Sequence, residues 1–292
     1  MKATPTDIAR LLDLEEIDID LFRGEQSHIP LPQVYGGHVL GQSMAAAAKT
    51  VNDMAPHSMH AYFLSTGDVG APILYKVNNT KDGRSFCVRR VVAIQHAKPI
   101  FEMTASFHAK EPGPDFHIPM PLDIPEPEEL LSDRDARLDI IKATAGESPY
   151  QYVSEWLIDY EWPIETKRIG GLQELSEAPR PPKQMMWIKA QSALPNNTAT
   201  HTAALAYISD LEFLTVCLQP HGLSWFNGSV KGASLDHAMW FHRPVKVDEW
   251  LLYVHDCPNT AQGRGLARGF FYNRSGELVA STAQEGLIRY MQ

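Results

Sequence analysis

Two related segments lie far apart in this sequence. One runs from Ala233 to Tyr253, ASLDHAMWFHRPVKVDEWLLY, and an imperfect copy runs from His60 to Tyr75, HAYFLSTGDVGAPILY. The dipeptides His-Ala and Leu-Tyr recur at offsets of 177 and 178 residues, beginning at His60 and His237 and at Leu74 and Leu252. Solenoid repeats recur every ~20–50 residues, so two copies with a much longer period indicate a duplicated domain.

Each half of the chain carries one long apolar helical segment followed by strand segments. The helix is predicted at Val34–Val51 in the first half and at Thr200–Gln219 in the second. Both are apolar nearly all round, which is typical of a buried helix. The predicted strands are Met59–Leu64, Ile73–Asn79, Ser85–Gln95 and Pro99–Phe107, then Ser234–His242, Glu249–His255, Gly265–Tyr272 and Leu278–Arg289. A helix wrapped by an antiparallel sheet, built twice, is an α+β fold.

A different pattern separates the two predicted units. Prolines crowd at both ends of this connector, and an acidic segment, Glu126–Thr144, is predicted to be helical. An aromatic segment follows at residues 150–162. The connector is too long for a hairpin loop and too aromatic for disorder. We therefore divide the chain into an N-terminal unit (1–110), a connector packed on the outside (111–182) and a C-terminal unit (183–292), and assign no chemistry to the connector.

Charge and composition exclude several classes of protein. The formal net charge of -9 argues against a nucleic-acid partner, because such proteins usually carry a basic surface. No apolar run approaches the ~20 residues of a membrane span. The first residues lack the charged flank and apolar core of a signal peptide. Three scattered cysteines fit reduced thiols, so we expect a cytoplasmic protein.

The second predicted helix contains one polar residue in an apolar setting, Asp210. If the helix were continuous, its helical neighbours would include Ala206, Phe213 and Leu214. A carboxylate among such neighbours is costly to bury, because desolvation raises its pKa. Asp210 is therefore a candidate catalytic acid or base, and the alternative is that it faces a water-filled gap.

Two further candidates lie on the last strands. Strand alternation places Gln284 on a face of small residues, where it could orient a water or make an ordinary sheet hydrogen bond. Ser234 has a hydroxyl suited to holding a water, and its competitors are Asp236, His237 and His242. His60 matches His237 in the repeat without a matching acid, which favours an architectural role for the histidine.

Three familiar site patterns are absent or weak. No Gly-x-Ser-x-Gly elbow occurs, which argues against a covalent serine hydrolase. Helical His-x-x-x-His metal spacing is absent too. Gly36, Gly37 and Gly41 open the first helix without the phosphate-binding fingerprint, so we expect them to serve close packing.

Several longer blocks resemble one family over nearly the whole chain, with the connector matching least. They include VYGGHVLGQ, HAYFLSTGD, YISDLEFL, QPHG, DHAMWFHRP, EWLLY and LVASTAQEG. In these blocks the sequence resembles the acyl-CoA thioesterase II (TesB-type) family of tandem hotdog-fold hydrolases. The resemblance implies a double hotdog fold, hydrolysis of fatty acyl-CoA, no cofactor and no metal, and a homo-oligomer (dimer or tetramer).

The resemblance also implies roles for three residues. An Asp, a Thr and a Gln of the family together activate the hydrolytic water; the Asp matches Asp210 and the Gln matches Gln284. The Thr position is occupied by Ser234, which keeps the hydroxyl and loses the methyl. The implied reaction is direct attack of water on the thioester without an acyl-enzyme. A hotdog acyl-CoA dehydratase or hydratase and a non-catalytic acyl-CoA binding module are the alternatives.

Overall fold

A computed structural model of the protein describes residues 7–144, 160 and 162–291. Within these residues, thirteen strands form one continuous sheet in which every pairing is antiparallel. Two long helices pack against each other and are buried along nearly their whole length. The α+β double hotdog fold predicted from the sequence is confirmed.

The first unit contains two helices and six strands. In chain order they are α1 (Ile8–Leu12), β1 (Glu15–Asp18), β2 (Leu21–Gly24), α2 (Gly36–Ala48), β3 (Ala55–Phe63), β4 (Ile73–Asp82), β5 (Phe86–Gln95) and β6 (Lys98–His108). The strand order is β1-β2-β4-β5-β6-β3, which places β3 at the centre of the whole sheet. Asp7 caps α1 by accepting a hydrogen bond from the N–H of Ala9.

The second unit repeats this plan. Its elements are β8 (Lys183–Ala190), α4 (Thr198–Ser209), β9 (Val230–Ser234), β10 (Asp236–Phe241), β11 (Leu251–Ala261), β12 (Arg264–Asn273) and β13 (Leu278–Tyr290). The strand β10 pairs with both β3 and β13, and thereby joins the two units into one sheet. Among the described residues, no helix is long and apolar enough to cross a membrane.

The connector contributes a strand to the sheet, which the sequence did not lead us to expect. It contains α3 (Asp133–Ala143) and β7 (Ile164–Arg168), and β7 pairs with β8 at the edge of the sheet. The predicted helical segment Glu126–Thr144 thus holds a short 3-10 turn, Pro127–Glu129, followed by α3. The aromatic segment at residues 150–162 lies mostly outside the described residues. The division at residues 110 and 183 stays a prediction.

The close packing expected of the glycines in α2 is confirmed. A Cβ atom on Gly37 would lie 2.2 Å from the carbonyl oxygen of Tyr207, and one on Gly41 would lie 2.9 Å from the Tyr207 Cβ. Any side chain at these positions would therefore push α2 away from α4. Glycine allows the N-terminal end of α2 to touch the C-terminal half of α4.

The predicted equivalence of His60 and His237 is wrong. His237 pairs with Ala61, and both point into the core, whereas His60 pairs with Ala238 on the opposite face and is exposed. Successive side chains of a strand point to opposite faces, so an offset in error by one residue exchanges inside and outside. The two histidines therefore match in sequence, but His237 is buried and His60 is exposed.

The predicted helix Thr200–Gln219 is also wrong in its second half. The helix α4 ends at Ser209, and Asp210 is its C-cap residue. Glu212 then adopts a left-handed conformation, with φ 53° and ψ 18°, and a 3-10 helix follows at Phe213–Cys217. The apolar residues beyond Glu212 are buried as the periodicity indicated, but they belong to a separate element. Asp210 therefore lies at a helix end and not on a continuous helical face.

Candidate active site

The three predicted site residues converge from three elements. Asp210 caps α4, Ser234 is the last residue of β9, and Gln284 lies in the middle of β13. The Ser234 hydroxyl donates to Asp210 Oδ1 at 3.4 Å, and Gln284 Nε2 donates to Ser234 Oγ at 2.8 Å. All three line one cavity of about 350 Å³. Residues 74 positions apart in sequence thus form one hydrogen-bonded group.

The first unit supplies the fourth part of this group. The backbone N–H of Gly37, in the first turn of α2, donates to Asp210 Oδ2 at 2.9 Å. The N-terminal N–H groups of a helix lack intrahelical acceptors, and the helix dipole favours a negative charge near them. A Cβ on Gly36 would lie 2.6 Å from the same carboxylate oxygen. The site therefore lies between the two units and needs glycine at the start of α2.

Burial sets the protonation of Asp210. Desolvation raises the pKa of its carboxyl group to about 6, although hydrogen bonds from Gln284, Gly37 and Ser234 oppose the rise. The carboxylate is consequently deprotonated at neutral pH, yet it is a much stronger base than a solvated aspartate. A pKa near the working pH is what general-base catalysis requires.

This pKa predicts the pH dependence of the reaction. If the deprotonated Asp210 is the base, kcat/KM should fall as the pH decreases through about 6, the pKa of the carboxyl group. Below that value we expect a loss of about tenfold per pH unit. A profile of initial rates between pH 4 and pH 9 checks this. An acidic limb centred near pH 4, the value of an ordinary aspartate, would contradict it.

A buried histidine orients Gln284. His237 Nδ1 contacts Gln284 Oε1, and His237 Nε2 lies 2.9 Å from Ser209 Oγ. Burial lowers the pKa of His237 to about 4, so the ring is neutral and carries one N–H. Gln284 Oε1 is an acceptor, and that proton therefore lies on Nδ1. The amide oxygen is held by His237, so the amide N–H groups face Ser234 and the cavity.

The role of His237 was missed from the sequence, and Asp236 and His242, the other two competitors of Ser234, lie outside the group. Asp236 accepts the backbone N–H of Glu285 at 2.7 Å, and His242 bonds the hydroxyl of Ser281 at 2.8 Å. Neither side chain forms a hydrogen bond with Asp210, Ser234 or Gln284. The signal that could have revealed His237 is strand alternation, which places His237 and Met239 on the buried face of β10.

A second and larger cavity adjoins the first. Its volume is about 500 Å³, and it shares Tyr35, Glu212, Thr215 and Trp225 with the cavity of the three candidates. Its other walls come partly from the connector, including Arg137 and Trp162. Within the described ranges, no group of three or more His, Cys, Asp or Glu residues is placed to hold a metal ion.

Comparison with known proteins gives consistent matches along the chain. A family model described as acyl-CoA thioesterase matches residues 158–287, and one described as acyl-CoA thioesterase N-terminal domain matches residues 27–108. The chain is 39% identical over 286 residues to acyl-coenzyme A thioesterase 8 of Homo sapiens, covering 97% of this chain and 88% of that protein.

Two bacterial proteins match over still more of their own length. Identity to acyl-CoA thioesterase 2 of Haemophilus influenzae is 34% over 286 residues, covering 98% of both chains. The crystal structure of an acyl-CoA thioesterase II, TesB2, from Mycobacterium marinum is similar to this fold with a TM-score of 0.77. That match has 35% identity and covers 98% of this chain and 99% of the other.

Proposed function

Because this chain belongs to the acyl-CoA thioesterase family, we propose that Asp210, Ser234 and Gln284 hold the water that hydrolyses a fatty acyl-CoA. The family predicted from the sequence is confirmed, and the protein is a thioester hydrolase. The assignment of the three residues is supported by one observation above all. A carboxylate with a raised pKa, a hydroxyl and an oriented amide meet in one cavity.

The proposed reaction has two steps. In the first step, the water oxygen attacks the thioester carbonyl while Asp210 accepts a proton from the water. A tetrahedral oxyanion forms. Ser234 and Gln284 hold the water, while the N–H of Gly37 holds the Asp210 carboxylate. In the second, the carbon–sulfur bond breaks and Asp210 returns the proton to the departing thiolate. The products are a fatty acid and coenzyme A, and no bond to the protein forms.

A direct test of the activity is release of thiol. The purified chain should release coenzyme A from fatty acyl-CoA substrates in the presence of a thiol-trapping reagent, at a rate proportional to enzyme concentration. A dehydratase or hydratase would change the acyl chain without releasing thiol, and a binding module would bind acyl-CoA without turnover. Either of those two results would contradict the assignment. Substrates of graded acyl length would define the preferred chain.

Ser234 provides a sharper test of the water-holding group. Replacing it with Ala removes the hydroxyl that links Gln284 to Asp210, and we expect kcat to fall by about 10²-fold. Replacing it with Thr keeps the hydroxyl and should retain kcat to within about fivefold, because only a methyl is added. Initial rates for the two variants check this. Equal activity of the Ala variant would exclude Ser234 from the mechanism.

Three broader properties belong to the same proposal. A cytoplasmic location is supported by three free, buried cysteines, since disulfides are rare in reducing compartments. A place in fatty acid metabolism follows from the acyl-CoA substrate. A homo-oligomer is supported by exposed aromatic side chains on the sheet, where Tyr62, Phe86 and Trp240 are 63%, 41% and 37% exposed. Light scattering of the purified protein would determine the assembly.

A further inference from the structure

Five charged side chains, four of them buried, form a cluster beside the active site. Arg137 of α3 donates two hydrogen bonds to Glu174, at 2.7 and 2.9 Å, and a third to Glu212 at 3.1 Å. Arg168 of β7 donates to Asp133 at 3.1 Å and also contacts Glu174 and Glu212. Both arginine side chains are at most 7% exposed. We call these five residues the connector cluster.

Four members of the connector cluster lie in the connector, and the fifth does not. Glu212 follows α4, two residues after Asp210, and its side chain is 25% exposed. Both arginines of the connector cluster reach the Glu212 carboxylate. The connector, to which the sequence led us to assign no chemistry, is thus joined by ion pairs to the segment that carries Asp210.

Glu212 has an unusual backbone conformation. Its φ of 53° and ψ of 18° lie in the left-handed region, which a residue other than glycine adopts rarely and at a cost of about 1–3 kcal/mol. Such a conformation persists only where the surroundings enforce it. At Glu212 two arginine side chains contact the carboxylate. This turn ends α4 at Ser209 and leaves Asp210 as its cap, directed towards Gly37.

We propose that Glu212 is a positioning residue for Asp210, and that Arg137 and Arg168 hold it in this role. The carboxylate of Glu212 fixes a left-handed turn, and that turn fixes the direction of the Asp210 carboxylate towards Gly37 and Ser234. Glu212 makes no proton transfer of its own. The inference rests on the proposed role of Asp210 as the general base.

Buried ion pairs suit such a role better than a stabilising one. Their desolvation cost can equal their mutual attraction, so they add little net stability, but removing one partner leaves a charge buried and uncompensated. The bidentate pairing of Arg137 with Glu174 also fixes the guanidinium plane, which a single-point contact cannot do. The cluster therefore holds Glu212 in one orientation. Glu212 lies two residues after Asp210 in the sequence.

Two substitutions at Glu212 separate positioning from backbone strain. Glu212→Gln keeps the shape and removes the charge, whereas Glu212→Gly removes the anchor and also relieves the left-handed strain. If the anchored carboxylate positions Asp210, both variants should lose about 10–100-fold in kcat, with KM within about twofold of the parent. If only the turn conformation matters, the Gly variant should keep the parent kcat.

The pH profile gives a readout that a merely structural role would not change. Hydrogen bonds from Gly37, Ser234 and Gln284 lower the pKa of Asp210, against the larger effect of burial. A displaced carboxylate loses part of them, and we therefore expect the acidic limb of kcat/KM to move to higher pH in both Glu212 variants. A lower fraction of folded protein would reduce the amplitude of the profile and leave the limb in place.

An ion pair between a buried arginine and an exposed aspartate in the first unit provides the control. Arg89 is 5% exposed and donates to Asp82 at 2.6 Å, and neither residue lines the cavity of the three candidates. Asp82→Asn should lower the thermal unfolding midpoint without changing kcat or the acidic limb. If Glu212→Gln behaves in the same way as Asp82→Asn, the positioning role is wrong.

A double variant covers the case in which a single variant fails to fold. Arg137→Gln with Glu212→Gln removes one charge of each sign, and so keeps the net charge of the connector cluster unchanged. Its kcat should be as low as that of Glu212→Gln, because the anchor is absent in both. Parent-level kcat in the double variant would overturn the inference. Asp210→Asn tests the general base separately, so failure of one role can be distinguished from failure of the other.

Discussion

Replacing Asp210 with Asn lowers kcat for fatty acyl-CoA by about 10²–10⁴-fold, if this carboxylate is the general base of the reaction. The amide has nearly the same shape and can still accept the N–H of Gly37 through its oxygen. It cannot accept a proton from water. Thiol release at saturating substrate measures the loss, and KM should stay close to the parent value. Retention of full activity would exclude Asp210 as the base.

The same substitution should stabilise the folded protein above pH 6. Burial raises the pKa of Asp210 from 3.8 to about 6, so the folded state favours the protonated carboxyl. The stability that this group contributes is therefore complete below about pH 4 and is lost as the pH rises through 6. Asn stays neutral throughout. At pH 8 the free energy of unfolding of the Asn variant should therefore exceed that of the parent by roughly 1–3 kcal/mol. Denaturant unfolding of both proteins at pH 4 and pH 8 measures the difference.

Replacing Gly36 with Ala lowers kcat by about 10²-fold or more, because the new methyl collides with the base itself. A Cβ at Gly36 would lie 2.6 Å from Asp210 Oδ2 and 3.0 Å from Phe63 Cε1. Since real Cβ contacts are longer, the carboxylate must rotate away from Gly37 and Ser234. Thiol release and the pH profile together measure the displacement, which should also move the acidic limb.

Gly113 supplies the control for that substitution. A Cβ on Gly113 would meet no atom within 4 Å, and neither glycine has a positive φ that a side chain would strain. Gly113→Ala should therefore leave kcat and stability unchanged. If Gly36→Ala also leaves kcat unchanged, the close approach of α2 to Asp210 has no part in catalysis.

The fold was largely predictable because its pattern of a helix followed by strands occurs twice in the sequence. Each half repeats a glycine-rich or alanine-rich apolar helix followed by strands, and the observed strands begin and end within a few residues of most predicted ones. What the repeat could not supply is register. His60 and His237 match by letter, but the alternation of buried and exposed residues places them on opposite faces.

The sequence patterns that pointed to the candidate residues agree with the structure to different degrees. Gln284 does lie on a buried strand face with small neighbours, as the alternation indicated. Asp210 stood out as an acid in an apolar segment, but the continuous helix assumed for it ends one residue earlier. Periodicity could not reveal that break, because the apolar residues after Glu212 are buried as well. The convergence of Asp210, Ser234 and Gln284 is visible only in three dimensions.

The contacts that complete the site come from parts of the chain distant in sequence. Gly37 reaches Asp210 across 173 positions, and Arg137 reaches Glu212 across 75. Neither contact leaves a local pattern, since a glycine that packs and an arginine that pairs look the same in sequence as any other. The orientation of Gln284 by His237 depends in addition on the histidine being neutral, which follows from burial, and on its proton lying on Nδ1, which follows from the contact with Gln284 Oε1.

Direct attack of water on the thioester is tested most directly by quenching the first turnover. Enzyme in excess of fatty acyl-CoA is mixed rapidly, stopped in acid at successive times, and assayed for coenzyme A, fatty acid and the mass of the intact chain. A water held by Asp210, Ser234 and Gln284 predicts equal amounts of the two products at every time and a chain of unchanged mass. Coenzyme A appearing ahead of fatty acid, with a chain heavier by one acyl group, would contradict it.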